Sequence, residues 1–178
     1  MNVLPRTEFG NPILRKKAKT LTKKEIQSKK IKDLAKQMIY TMRRVQGVGL
    51  AAPQVGESVQ LAVMEMRKTK TRSVDELKGP IVIINPKIIS YSKKKIPGYE
   101  GCLSCMSIRG EVPRSESIEV EYINLEGEKI KEKASGLWAR IFQHEIDHLN
   151  GIVYVDRIED TKTIMTQKEF EKHFVKKK

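Results

Sequence analysis

The sequence predicts a single α+β domain that spans residues 1–178 and contains antiparallel sheets. A chain of 178 residues is typical of one domain and is long enough to form a real hydrophobic core. Its apolar residues recur in blocks, some with the period of a helix and others with the period of a strand. Several predicted strands follow one another without a regular helix between them, which favours antiparallel pairing.

The first predicted helix begins at a capping box, in which Thr22 and Glu25 satisfy each other's backbone N–H groups. Hydrophobic residues continue at helical spacing as far as Val45, and Gly47 is expected to end the helix. Residues 47–56 are predicted to form a loop. Residues 59–64 are rich in β-forming residues without clear alternation, which predicts a strand buried on both faces.

The middle of the chain is predicted to consist of strands and turns. Residues 68–78 are polar and predict a surface loop, and residues 81–84 predict a buried strand that stops at Asn85 and Pro86. Alternating apolar residues over 117–122 predict a strand with one buried face. Residues 124–128 predict the turn of a hairpin, whose return strand covers residues 129–134.

Two more helices are predicted near the end of the chain. The first runs from about Gly136 to Leu149. The second is short and basic, begins at a capping box after Thr166, and is expected to turn Phe170 and Phe174 inward. The sequence contains no repeat and no linker, which agrees with one domain.

Composition limits the class of protein. The chain is 39% hydrophobic and 32% charged, and no apolar run is long enough to cross a bilayer. The first residues lack the features of a secretory signal, and two cysteines do not make a disulfide framework, so we expect a cytoplasmic protein. The net charge of +13 either attracts a polyanion such as RNA or reflects lysines on solvated faces, and the lack of interleaved aromatic residues favours the second explanation.

The most informative motif is H-E-x-x-H at residues 144–148. On a helix, His144 and His148 lie one turn apart and face the same way, so both imidazoles can bind one metal ion. Glu145 lies beside them and can move protons to or from a metal-bound water. The alternative is a histidine pair on a surface helix, but the apolar residues around the motif predict a buried helix.

A catalytic metal site needs a third protein ligand and one open position. Cys102 is the strongest candidate, because a metal lowers the pKa of a thiol. Cys105 completes a C-x-x-C pair, so two cysteines and two histidines could instead form a closed structural zinc site. The two pairs lie much farther apart than in finger-type sites, and a closed site would leave Glu145 without a role.

Three segments together resemble the signature motifs of the peptide deformylase family. They are residues 47–54, 100–104 and 143–151, and their order and spacing resemble the family over essentially the whole chain. The resemblance implies removal of the formyl group from the initiator methionine of N-formylmethionyl nascent peptides, in the cytoplasm of bacteria or in an organellar matrix. It also implies antiparallel sheets packed around a central helix that carries H-E-x-x-H, with further helices near both ends.

The resemblance assigns a role to each matching residue. Cys102, His144 and His148 would bind one divalent metal ion, usually Fe²⁺, with Zn²⁺, Ni²⁺ or Co²⁺ as substitutes. A three-ligand ion lowers the pKa of its bound water, so Glu145 would act as general base while the metal-bound hydroxide attacks the formyl carbon, and then as general acid. The oxyanion would be held by Gln54 and the backbone N–H of Leu103. The residues implied for the peptide groove and methionine pocket are Val48, Gly49, Gly101, Leu137 and Ile141.

The chain departs from the family pattern at Cys105 and Met106, where the family often has an aliphatic residue and a proline. This difference concerns the rim of the substrate groove. Glu100 is expected to orient either a ligand or its loop. Arg140 and Asp147 could form a pair behind the metal ligands, although charges on a helix surface are the favoured interpretation.

The sequence is compatible with three rival functions. A metallopeptidase would usually take its third ligand downstream of the motif, where His173, Glu159 and Asp160 are the candidates. The second rival is a basic RNA-binding protein with structural zinc, and the third is a hydrolase of a different N-formyl substrate. The basic C-terminal helix is a candidate for contact with the ribosome, or else a solvated helix with His173 at its surface.

Overall fold

The computed structural model describes residues 1–69, 74 and 76–175, except for the side chain of Met106. The predicted loop at 68–78 therefore lies partly outside the described residues, and the lysine tail at 176–178 lies entirely outside them. The described helices are α1 (Lys23–Ile26), α2 (Lys29–Arg44), α3 (Gly136–Leu149) and α4 (Gln167–Phe174). None of these helices combines the length and hydrophobicity that are needed to cross a membrane.

The strands belong to one main sheet and two small ones. They are β1 (Gly49–Ala51), β2 (Leu61–Met66), β3 (Lys78–Tyr91), β4 (Lys95–Ile96), β5 (Tyr99–Cys102), β6 (Cys105–Glu111), β7 (Arg114–Ser115), β8 (Ser117–Ile123), β9 (Lys129–Ser135) and β10 (Met165–Thr166). The main sheet has the order β1-β2-β3-β8-β9, and its pairings are antiparallel. The small sheets are β10-β6-β5 and β4-β7. The predicted α+β class with antiparallel sheets is confirmed.

The main sheet is covered by α2 on one face and by α3 on the other. Leu61 and Val63 of β2 belong to the hydrophobic cluster that contains the apolar stripe of α2. Ala62 and Met64 point the opposite way, into the cluster that contains the apolar residues of α3. Because side chains alternate across a strand, a strand between two helices carries apolar residues on both faces. This explains why β2 is buried throughout and shows no alternation in its sequence.

The predictions for β8, the hairpin turn and β9 are confirmed. In β8 alternate residues are buried, and its register with β9 pairs Val120 with Glu132 and Tyr122 with Ile130. Helix α3 follows β9 directly and covers the span that the sequence predicts. The second strand of the hairpin therefore leads directly into α3, the helix that carries His144 and His148.

The single helix predicted from Thr22 to Gly47 is wrong in two respects. It is two helices, because Ser28 acts as a new N-cap and its Oγ accepts a hydrogen bond from Ile31 N at 3.3 Å. The second helix ends at Arg44, and Gln46 adopts the left-handed conformation (φ 60°) that we expected of a glycine. Gly47 N then donates to Met42 O at 2.9 Å, which closes the last turn.

The predicted loop at 47–56 is also wrong. It contains β1, in which Leu50 pairs with Val63, and a 3-10 helix at Ala52–Val55. A three-residue strand is too short to have a periodic signal, and only its pairing with β2 makes it a strand. Likewise, the sequence did not predict the strands of the two small sheets, which are β4, β5, β6, β7 and β10.

The strand β3 does not stop at Asn85 and Pro86 as predicted. Asn85 has a φ of 49°, and the register with β8 shifts between Ile84 and Lys87, so a bulge carries the strand past the proline. The Asn85 side chain accepts from Leu21 N at 2.9 Å and donates to Leu21 O at 2.8 Å. Asn85 thereby joins the sheet to the segment before α1.

The C-terminal helix α4 begins after Thr166, whose hydroxyl accepts from Glu169 N at 3.2 Å. Phe170 and Phe174 both contact the Tyr99 ring, with centroid distances of 5.4 and 4.7 Å. Phe174 is nevertheless 53% exposed, so the prediction that it faces inward is wrong. The aromatic contact attaches α4 to β5, next to Cys102.

We predict that Asn85→Ala lowers the free energy of unfolding by about 3 kcal/mol, because it loses two hydrogen bonds of about 1 kcal/mol each and strains a left-handed residue. Asn85→Gly should cost about 1 kcal/mol less, since glycine adopts this conformation without strain. Urea denaturation of both variants measures the difference. Equal losses in the two variants would contradict the assignment of strain to Asn85.

Candidate metal centre and active site

Helix α3 and strand β5 together bring three potential metal ligands into one cluster. Within the described part of the chain, the ligand atoms of Cys102, His144 and His148 all lie within 4.8 Å of one another. Cys102 Sγ is 3.2 Å from His148 Nε2. Cys105 lies opposite Cys102 in the β5–β6 pairing but is not a member of this cluster. A set of one sulfur and two nitrogen donors suits a transition metal and leaves a position open, in contrast to a closed zinc site.

The surroundings of Cys102 favour a thiolate. Burial by itself raises the pKa of this thiol, but the imidazoles of His148 and His144 hold the pKa well below its ordinary value. Gln54 Nε2 donates to Cys102 Sγ at 3.2 Å, and Ser104 N donates to it at 3.4 Å. The deprotonated form is the one that binds metals, so the site is electrostatically prepared for a cation.

Glu100 orients His144 from behind the cluster. Its Oε2 lies 2.9 Å from His144 Nδ1, which leaves Nε2 of the same ring as the metal-binding atom. Glu100 is buried, and Arg114 donates to both of its oxygens at 2.9 and 3.1 Å. Burial raises the pKa of Glu100, but the hydrogen bonds from His144 and Arg114 outweigh it and hold the pKa well below the usual range.

Arg140 and Asp147 belong to this network, so our interpretation of them as helix-surface charges is wrong. Arg140 Nη1 donates to Glu100 Oε1 at 2.8 Å. Asp147 is buried and accepts from Arg114 Nη1 at 2.5 Å and from Arg157 Nη2 at 2.8 Å. The sequence could not predict these two pairs, because the partner of Asp147, Arg114, lies on β7 and the partner of Arg140, Glu100, lies on β5.

Glu145 lies deep in the site and touches the backbone of β1. The residue is 3% exposed, and its Oε2 has no hydrogen-bond partner among the described residues. A Cβ atom on Gly49 would collide with its carboxylate, so only glycine allows this close approach. Burial raises the pKa of Glu145 to about 7, although His144 and His148 act in the opposite direction. A carboxyl group with such a pKa can both accept and return a proton near neutral pH.

Gln54 presents its amide nitrogen to the site. Its Oε1 accepts from Ala51 N at 2.8 Å, which fixes the orientation of the amide and turns Nε2 towards Cys102 and Ser104. Leu103 follows Cys102 in the turn between β5 and β6. Cys102 Sγ is thus the point where two segments meet: the 3-10 helix that contains Gln54, and the turn that contains Leu103.

A cleft of about 550 Å³ opens above the cluster. All the residues predicted for substrate binding line it: Val48, Gly49, Gly101, Leu137 and Ile141. Another part of its lining has no prediction from the sequence, namely Tyr99, Ile108, Arg109, Gln167 and Glu171. These side chains come from β5, β6 and α4 but lie outside the three signature segments, and the pairing of β6 with β5 and β10 brings them to the cleft. Cys105 also lines the cleft, as its departure from the family pattern predicts.

Comparisons with known proteins agree with this arrangement. The family model described as "Polypeptide deformylase" matches residues 3–163. Peptide deformylase 2 from Nostoc sp. is 39% identical over 169 residues, which cover 95% of this chain and 93% of the relative. The peptide deformylase of Thermotoga maritima is 42% identical over 161 residues, which cover 90% of each chain.

The solved structures agree as well. A crystal structure of class I type b peptide deformylase from Acinetobacter baumannii with bound Met-Ala-Ser superimposes with a TM-score of 0.86 at 39% identity. The match covers 88% of this chain and 99% of that chain. With a family model over most of the sequence and relatives at this level of identity along nearly their whole length, this chain belongs to the polypeptide deformylase family.

Proposed function

We propose that this protein is a metal-dependent hydrolase that removes the N-formyl group from the initiator methionine of newly made proteins. The observation that carries the proposal is the position of Glu145, whose buried carboxylate lies beside the cluster of Cys102, His144 and His148 at the base of a cleft. A structural metal site has no need of such a carboxylate. Family membership gives the same activity.

We further propose that Cys102, His144 and His148 hold one divalent ion, with Fe²⁺ as the metal used in the cell and Zn²⁺, Ni²⁺ or Co²⁺ as substitutes. The thiolate and imidazole donors fit these metals better than Mg²⁺ or Ca²⁺, which prefer oxygen ligands. Metal analysis of protein purified without oxygen tests the choice. Stoichiometric zinc in place of iron would overturn it.

When held by Cys102, His144 and His148, the ion would supply Lewis acidity that polarises the formyl carbonyl and makes water a stronger acid. Glu145 takes the proton of the attacking water and returns it to the departing amine. Gln54 Nε2 and the backbone N–H of Leu103 donate to the oxyanion that forms on the formyl oxygen, and each such donor is typically worth about 3 kcal/mol. Gly49 leaves room for Glu145 to act at this position.

The cleft would hold the substrate with its methionine side chain against Ile141 and Leu137, which lie about one and two turns before the motif on α3. Val48, Gly49 and Gly101 would line the path of the peptide backbone. We propose that residues 1–178 form one catalytic domain in which α3 is the central helix. We place the protein in the cytoplasm or in an organellar matrix, where nascent chains are made, and cell fractionation tests this location.

Among the rival functions, a metallopeptidase has little support. Its expected downstream ligands lie outside the ligand cluster found in the described residues, and His173 is exposed and 3.1 Å from Glu169 Oε2. A basic protein with structural zinc does not account for Glu145 or the cleft. A hydrolase of a different N-formyl substrate would use the same site, so comparison of formylated peptides with formylated lysine distinguishes that case.

We predict that Glu145→Gln reduces formate release from a formyl-Met-Ala-Ser peptide by about 10²–10⁴-fold, because it removes the general base and acid. The variant should still bind one metal ion, since Glu145 is not among the proposed ligands. Both proteins are loaded with Fe²⁺ or Co²⁺ without oxygen, and metal content is measured beside activity. Retained activity in a metal-loaded Glu145→Gln variant would sink the proposed mechanism.

We predict that Glu100→Gln weakens metal binding by about 10–100-fold, because the neutral amide no longer holds His144 in a fixed tautomer and orientation. Equilibrium competition with a metal chelator measures the affinity. Glu116→Gln is the matched control, since Glu116 forms an exposed ion pair with Lys94 at 2.8 Å. Equal affinities in the two variants would show that Glu100 does not support the metal site.

We propose that the C-terminal helix α4 contacts the ribosome together with the lysine tail at residues 176–178, which supplies the excess positive charge of this segment. Its exposed residues include Lys172 and His173. Deletion of residues 172–178 should reduce co-sedimentation with ribosomes, and the wild-type association should weaken as salt concentration rises. An undiminished association after the deletion would reject this contact.

A further inference from the structure

Arg67 holds one wall of the cleft from outside the site. It follows the end of β2, and its Nη2 donates to Gly47 O at 3.0 Å and to Arg43 O at 3.2 Å. The first carbonyl belongs to the segment that enters β1, and the second belongs to the last turn of α2. One guanidinium therefore fastens the end of the helix to the beginning of the strand.

Glu65 orients this guanidinium. It is buried, and its Oε2 lies 3.5 Å from Arg67 Nε. The same carboxylate accepts two hydrogen bonds from Arg43, at 2.8 and 2.6 Å. Arg67 Nε is itself buried without a hydrogen-bond partner among the described residues, so its ion pair with Glu65 acts together with the two hydrogen bonds of Nη2 to orient the guanidinium.

The backbone at this position needs such support. The ladder between β1 and β2 ends with the hydrogen bond from Glu65 N to Val48 O at 2.8 Å. The preceding residue, Gly47, lies beyond the ladder, and Gln46 before it is held in a left-handed conformation that is unfavourable for a side chain with a Cβ. Arg67 binds the carbonyl of Gly47, which the β1–β2 ladder leaves without a partner strand.

This wall touches the residues that are proposed for chemistry. A Cβ atom on Gly47 would lie 2.8 Å from Leu103 Cδ1, so the wall and the turn after Cys102 are in direct contact. Gly49 lies against the Glu145 carboxylate. Val45, Gln46 and Val48 also line the cleft. A small outward movement of residues 46–49 would therefore widen the space in which a peptide must fit.

We propose that Arg67, oriented by Glu65, is a positioning residue that sets the width of the peptide cleft and so the affinity for the substrate. The inference rests on the proposed deformylase function. Arg67 does not line the cleft, and Gln54, Leu103 and Glu145 lie on elements outside residues 46–49. Its loss should therefore affect the binding of the peptide more than the chemical step.

The test compares Arg67→Met with Arg43→Met. The second variant removes the exposed partner of Glu65 but keeps the Arg43 carbonyl and the guanidinium of Arg67. Arg67→Met should raise KM for formyl-Met-Ala-Ser by about tenfold and change kcat by less than about twofold, whereas Arg43→Met should leave both near the wild-type values. Arg67→Lys should not restore KM, because an ammonium cannot pair with Glu65 and donate to both carbonyls in one plane.

Two further measurements do not depend on turnover. Amide hydrogen exchange at residues 46–49 should become faster in Arg67→Met than in Arg43→Met, and the Kd for the product peptide Met-Ala-Ser should rise in parallel with KM. Equal KM values in the two methionine variants, or unchanged exchange at residues 46–49, would overturn the proposal. If the wild-type protein released no formate, the proposed function would fail separately, and the exchange rates would still decide whether Arg67 holds this wall.

Discussion

The buried carboxylate of Glu100 joins the two elements on which the site depends. It lies on β5, two residues before Cys102, and it contacts His144 and Arg140 on α3 as well as Arg114 on β7. A buried carboxylate must be paired, and the loss of one partner of a buried ion pair typically costs about 3–5 kcal/mol. The network therefore holds the sulfur ligand and the imidazole ligands at a fixed separation and also supplies the proton acceptor behind His144.

The main sheet positions the helix that carries part of this network. Because β2 is apolar on both faces, α2 and α3 pack on opposite sides of the same strand, and β1 is added at its edge. The edge strand then passes so close to α3 that Gly49 lies against Glu145. Polar groups of the site thus occupy a narrow space between α3 and β1, where burial raises the pKa of Glu145 to about 7.

The local patterns in the sequence predicted β8, β9 and α3, but they failed at the shortest strands and at the ends of α2 and β3. Alternation in β8 and the apolar positions of α3 gave the correct spans, because each element is long enough for its period to appear. The short strands β1 and β5 have no such signal, since they exist only through pairing with β2 and β6. Asn85 and Pro86 looked like a stop, but a bulge that is tied to Leu21 carries β3 past them.

The sequence by itself determined the fold class, the family resemblance and the chemical types at the site: a thiol, two imidazoles one turn apart and a neighbouring carboxylate. Helical spacing is a local property, so His144, Glu145 and His148 could be read directly from the chain. Only the tertiary structure decided that Glu100, Arg114 and Asp147 form one buried network and that Arg67 holds the cleft wall. These contacts join residues far apart in the sequence, and charged side chains carry no periodic signal that reveals which distant partner will neutralise them.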